Sequence, residues 1–176
     1  MKITTKILSL LLVLLTTALL GCGGSQQSAE KKAEKPFRIV TSFYPMYLAT
    51  INITDGVDGV EVPNMTKPQT GCLHDYQLMT EDMKTLEHAD AFVINGAGME
   101  DFMDKVTGAQ KEMKIIDASR GIELIHDDEG DNPHVWLSVT DAITQVRNIA
   151  DQLKEADPAH ADAYEKNAAA YIEKLT

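Results

Sequence analysis

Ala91-Phe92-Val93-Ile94, followed at once by Asn95-Gly96-Ala97-Gly98, is the stretch that decides the fold. Four apolar residues without polar alternation predict a strand covered on both faces, the habit of parallel sheets. The glycine-rich tetrapeptide then breaks the run. Working outward, Phe37-Arg38-Ile39-Val40-Thr41-Ser42-Phe43 is aromatic and β-branched and predicts a first strand. Pro45 suits the first turn of a helix ending near Thr54, and Asp55-Gly56 and Asp58-Gly59 turn out of it. Val60 to Met65 predicts a second strand, ahead of a loop holding Pro68 and Gly71. Thr80 with Asp82 opens a helix carried through Leu86 to Ala89. Glu100 to Val106 predicts a helical segment and Lys114-Ile115-Ile116-Asp117 the next strand. Strand and helix alternate, so the fold class is α/β, a mainly parallel sheet flanked by helices.

From Ser138 the period changes. Val139, Ile143, Val146, Ala150 and Leu153 recur at three- and four-residue spacing and form one helical stripe. Asp157-Pro158 interrupts it, and a second helix runs from about Ala159 to Leu175. No Gly, Pro or capping residue closes that helix, so a chain cut short within it is the expectation.

The other end reads as a targeting segment. Lys2 and Lys6 precede an apolar run from Ile7 to Leu20. Its 14 residues fall short of the roughly 20 that a membrane span needs, but suit a signal peptide. The run ends in Leu19-Leu20-Gly21-Cys22, which resembles the lipobox of bacterial lipoproteins. The resemblance implies cleavage after residue 21, a lipid on Cys22 and an address on the extracytoplasmic face of the cell membrane. A secretory signal that merely contains a cysteine is the plainer alternative. Residues 22–36 are Gly, Ser, Gln, Ala, Glu and Lys with one Pro after the cysteine, and predict a flexible tether.

Removing residues 1–21 takes away two lysines and no acid, so the net charge moves from −11 to −13. So acidic a chain argues against nucleic acid and anionic lipid as partners and is compatible with cation capture, although charge alone decides little. With Cys22 lipidated, Cys72 has no intrachain partner, and the core alone must hold the fold.

Five histidines are present, and two stand in unusual settings. His74 lies in Thr70-Gly71-Cys72-Leu73-His74-Asp75-Tyr76, and His134 in Asp131-Asn132-Pro133-His134-Val135-Trp136-Leu137. Both fall near the C-terminal ends of predicted strands, where open α/β sheets keep their ligand crevice. Neutral imidazole binds Zn²⁺ and related ions, and a carboxylate can orient its second nitrogen; Asp75 and Asp131 are candidates for that work. A separation of 60 residues matches no compact zinc signature, so spacing alone leaves loop histidines as the bland reading. Cys72 could add a soft thiolate, although reduced exposed thiols survive poorly outside the cell. His88 and His160 read as surface or packing residues, the acidic stretch around His126 as a solvated loop, and Trp136 and Tyr76 as packing walls.

Phe37 to Tyr47, Leu73-His74-Asp75-Tyr76, Asp90 to Gly98 and Asn132-Pro133-His134-Val135-Trp136-Leu137 together resemble the metal-specific solute-binding proteins of bacterial ABC importers, the zinc/manganese group. The resemblance covers nearly all of the chain from Phe37 onward. It implies two α/β lobes joined by a long backbone helix, with Zn²⁺ or Mn²⁺ as cargo and an importer permease as partner. Of the ligands it carries over His74 and His134. A third histidine and an Asp or Glu usually come from the second lobe, beyond Thr176. Residues 37–157 would then be the N-terminal metal-binding lobe and 158–176 the start of the interlobe helix. Two features depart from the family: Cys72-Leu73 stands where Pro or Ser often precedes the histidine, and the His-rich loop of zinc importers is reduced to residues 125–131.

The expected role is that of a monomeric binding protein without catalysis. There is no His-Glu-x-x-His helix, no Gly-x-Ser-x-Gly elbow and no Cys-x-x-Cys pair. A surface adhesion lipoprotein on the same scaffold, with a structural metal, is the alternative.

Overall fold

The computed structural model describes residues 35–67, 71–128 and 130–176; the signal peptide of residues 1–21, Cys22 and most of the tether lie outside the described residues. Four strands form the main sheet: β1 (Phe37–Thr41), β2 (Val60–Glu61), β3 (Ala91–Ile94) and β4 (Lys114–Asp117). Their order is β2-β1-β3-β4 and all pair in parallel. The register sets Val40 beside Phe92 and Phe92 beside Ile115, so the apolar run that predicted β3 lies at the centre with all four residues buried. Parallel strands need crossovers, supplied here by α1 (Tyr44–Ile53), α2 (Thr80–Leu86) and α3 (Met103–Ala109).

Two long helices complete the lobe, α4 (Val139–Ala156) and α5 (Ala161–Leu175), joined by a 3-10 turn at Pro158–His160. Ser138 caps α4 by accepting from the Asp141 N–H. The helix covers the outer edge of β4. Gln152 exchanges bonds with both backbone groups of Asp117, and Asn148 donates to the Ala118 and Arg120 carbonyls. The C-terminal end of this edge strand is thereby closed by side-chain amides. At the α4–α5 corner the Asp157 carboxylate accepts from the buried Tyr164 hydroxyl at 2.6 Å, and His160 Nδ1 lies 2.7 Å from it. Helix α5 packs along α1 and α4, contributing Tyr164 and Ala168 to the core. Its Asn167 donates to the carbonyls of Ile53 and Asp55, closing the C-terminus of α1.

Several boundaries depart from the sequence expectation, each for a physical reason. β2 stops at Glu61 because Pro63 has no N–H for the ladder, which survives beyond it as a single bridge between Thr41 and Asn64. α3 begins at Met103, not at Glu100, because the Glu100 side chain is committed to the turn after β3. The acidic stretch read as a solvated loop contains a two-stranded antiparallel hairpin, β5 (Ile125–Asp127) and β6 (Gly130–Asn132).

Candidate metal centre

The turn after β3 is the foundation of the site. Gly96, Ala97 and Gly98 all have positive φ, at 79°, 53° and 79°. At Gly96 a Cβ atom would stand 2.0 Å from Asp117 Oδ1, so glycine is required there by conformation and by space. The Glu100 carboxylate folds back under this turn. One oxygen accepts from Ser42 Oγ and the Asn95 N–H, both at 2.8 Å; the other accepts from the Gly96 N–H at 3.0 Å. Burial holds the Glu100 pKa above the ordinary carboxylate value, even against three donors that favour the charged form. Asn95, fully buried, reaches outward from the same turn. Its amide nitrogen donates to the Pro133 carbonyl at 3.0 Å, and its oxygen accepts from Gln145 of α4 at 2.9 Å. The loop carrying His134 is thus tied to the C-terminal end of β3.

Locally, Asn132 shapes that loop. Its side-chain oxygen accepts from the His134 N–H at 3.0 Å and lies 2.8 Å from His134 Nδ1. The first bond makes an Asx turn; the second fixes the ring and leaves Nε2 as the outward-facing nitrogen. Buried Val135 then anchors a 3-10 turn, Val135–Leu137, that leads into α4. Trp136 packs against the His134 ring at 5.1 Å between centroids and meets Phe43 edge-on at 5.0 Å.

The second loop follows β2. Leu73 is fully buried, whereas its neighbours Cys72 and His74 are exposed. Cys72 Sγ lies 2.9 Å from His74 Nδ1. Tyr76, two residues on, packs against Phe102 and donates to the buried Asp82 carboxylate at 2.9 Å. Burial and that carboxylate push the Tyr76 hydroxyl up to about 12. Asp82 also accepts from the Met79 N–H, so one carboxylate both starts α2 and holds the end of the His74 loop.

The two loops meet. The rings of His74 and His134 are 5.4 Å apart, and one donor atom each from Cys72, His74 and His134 lies within 4.8 Å of the others. Such a group can offer two imidazole nitrogens and one sulfur to a cation.

The two acids expected to orient these rings do not do so. Asp131 faces away from His134, pairing with His126 across the hairpin at 3.0 Å. Successive side chains of a strand alternate in direction, so Asn132, not Asp131, points along the path to His134. Asp75 is exposed, and the partner of His74 Nδ1 is Cys72 instead. His88 is exposed on the turn after α2, and His160 is bound to Asp157 away from the site. Sequence reasoning missed Asn95, Glu100, Asn132 and Gln145. Asn132-Pro133 was the available signal, because Asn-Pro pairs favour turns that the Asn side chain closes.

Comparison with known proteins gives a consistent answer. The family model described as zinc-uptake complex component A, periplasmic, matches residues 39–176. The high-affinity zinc uptake system protein ZnuA of Bacillus subtilis is 34% identical over 178 residues, which cover 88% of this chain and 53% of that protein. The Zn(II)-bound ZnuA-like domain of Streptococcus pneumoniae AdcA superposes with a TM-score of 0.71 at 34% identity, covering 80% of this chain and 52% of that one. The SBP FpvC of Pseudomonas aeruginosa, in complex with Mn²⁺, gives the same TM-score and identity over 80% of this chain and 52% of its own. The chain spans about half the length of each of these three relatives. Among the described residues no helix is long and apolar enough to cross a membrane. With a parallel α/β lobe and a family match running from β1 to Thr176, the chain belongs to the family of periplasmic zinc-uptake complex component A.

Proposed function

We propose that this chain captures Zn²⁺ or Mn²⁺ outside the cytoplasm and delivers it to the permease of an ABC importer. In this reading it works as a monomer, without catalysis, tethered through a lipid on Cys22 by residues 22–36. His74 and His134 are the ligands. The observation that carries the reading is the 5.4 Å approach of two histidine rings from separate loops at one end of the sheet. A relative named for zinc uptake, and solved structures of relatives with Zn(II) or Mn²⁺ bound, support the class of cargo. Two imidazoles fill half of a tetrahedral shell, and water or further donors fill the rest.

Titration calorimetry with Zn²⁺ and Mn²⁺ tests it. The expected result is one ion per chain, with binding lost in the His74→Ala, His134→Ala double variant. An unchanged isotherm in that variant refutes the assignment of both residues. For the cellular role, depletion of the protein should lower zinc or manganese uptake, and His134→Ala should fail to restore it.

A further inference from the structure

We propose that Cys72 is a third metal ligand beside His74 and His134, so that the centre takes a thiophilic ion such as Zn²⁺ in preference to Mn²⁺. The proposal rests on the reading of His74 and His134 as ligands and deepens it. Three observations carry it.

First, the donor atoms of all three residues already lie within 4.8 Å of one another. Zinc bonds of about 2.3 Å to sulfur and about 2.0–2.1 Å to nitrogen give tetrahedral S···N edges of about 3.5 Å. The three donors are therefore already gathered close to the spacing that one ion would impose. Second, Leu73 is locked in the core, whereas the residues on either side of it are exposed. Cys72 and His74 are thus presented together, as a pair of donors separated by one residue. Third, the sulfur is accessible, and its 2.9 Å contact with His74 Nδ1 keeps it beside one of the two imidazoles. Cys72 is a free, exposed thiol among the described residues, backed by the buried Met99 thioether at 3.6 Å. The acids in the two loops are Asp75, which is exposed, and Asp131, which is turned to His126. A set of one sulfur and two nitrogens suits Zn²⁺ and Cd²⁺, whereas Mn²⁺ is better served by carboxylate and water.

The test uses the 176-residue chain, kept reduced and free of oxygen, and titrated with Co²⁺ as a spectroscopic stand-in for Zn²⁺. The parent chain should show a near-ultraviolet sulfur-to-cobalt charge-transfer band that Cys72→Ser abolishes. Affinity for Zn²⁺ should fall at least about tenfold in Cys72→Ser, while Mn²⁺ binding changes by less than about twofold. Because Cys72 is exposed, the variant should melt with the parent, which a thermal scan checks. If no charge-transfer band forms and Cys72→Ser binds Zn²⁺ as the parent does, the thiol only orients the His74 ring and the proposal is overturned. In that outcome a His74→Ala variant with weakened Co²⁺ binding leaves the two-histidine reading standing. A His74→Ala variant that binds Co²⁺ unchanged removes both.

Discussion

Replacing Asn95 by alanine should weaken the fold and the His134 loop together. The side chain is fully buried and makes three hydrogen bonds, to the Gly96 and Pro133 carbonyls and from Gln145 Nε2. Truncation strands two groups that cannot readily reach water, the Gln145 amide on α4 and the Pro133 carbonyl. At about 1–3 kcal/mol for each of the two unsatisfied buried groups, the loss is about 2–6 kcal/mol. A domain of this size then melts about 10 °C lower. Thermal unfolding followed by circular dichroism measures the first effect, and Zn²⁺ calorimetry below the transition measures the second. Affinity should drop because Pro133, next to His134, has lost its tether to β3. Asn95→Asp is the sharper comparison. It keeps an oxygen for Gln145, removes both N–H donors and sets a second carboxylate near buried Glu100. It should be at least as unstable as Asn95→Ala at neutral pH and recover as the pH falls. An Asn95→Ala protein melting within about 2 °C of the parent would refute the reasoning.

Other perturbations probe the same frame. Burial raises the Glu100 pKa above its ordinary 4.5, so the folded chain holds that proton more tightly than the unfolded chain. Its contribution is present at low pH and is lost as pH rises from 4.5 through the raised value; relative to Glu100→Gln, the parent should lose stability across that window, and urea midpoints with a pH-independent gap would contradict this. Gly96→Ala meets Asp117 Oδ1 at 2.0 Å and Ser119 Oγ at 2.5 Å with φ at +79°, so chemical denaturation should show a loss of about 3 kcal/mol or more. Asn167→Ala removes two bonds to the end of α1 and should cost about 1–2 kcal/mol, with hydrogen exchange quickening in α5 first.

What the sequence discloses follows the physics of each segment. β3 and β4 are legible to the residue: β3 is a run of buried apolar side chains with few alternative homes, and β4 carries the β-branched pair Ile115-Ile116 between polar ends. α4 is legible from its stripe and from Ser138, whose hydroxyl performs the capping its position suggests. The hairpin β5–β6 is not legible. Asp127, Gly130, Asp131 and Asn132 have low strand preference, so their pairing is not announced by residue type. β2 is overextended in prediction because Val60 to Met65 contains Pro63, a stronger breaker of the ladder than its apolar neighbours are formers. For the site, the loop positions of His74 and His134 after predicted strands single them out, but their pairing is legible only through resemblance to a family, since residues 60 apart in sequence meet by tertiary folding. The supporting residues stayed hidden because Asn95, Gln145 and Glu100 act by being buried, and a polar residue destined for the interior looks in sequence like one destined for the surface.

Asn167 offers a last consequence. Because its amide reaches two carbonyls at once, any roll of α5 about its own axis would break both bonds. Tyr164 and Ala168 must keep facing inward, so Glu165, Lys166, Ala169, Ala170, Glu173 and Lys174 hold a constant compass bearing toward solvent. A force applied to that outer stripe would thus reach α1 through Asn167 and the core through Tyr164 and Ala168, as torque on a key reaches its shaft.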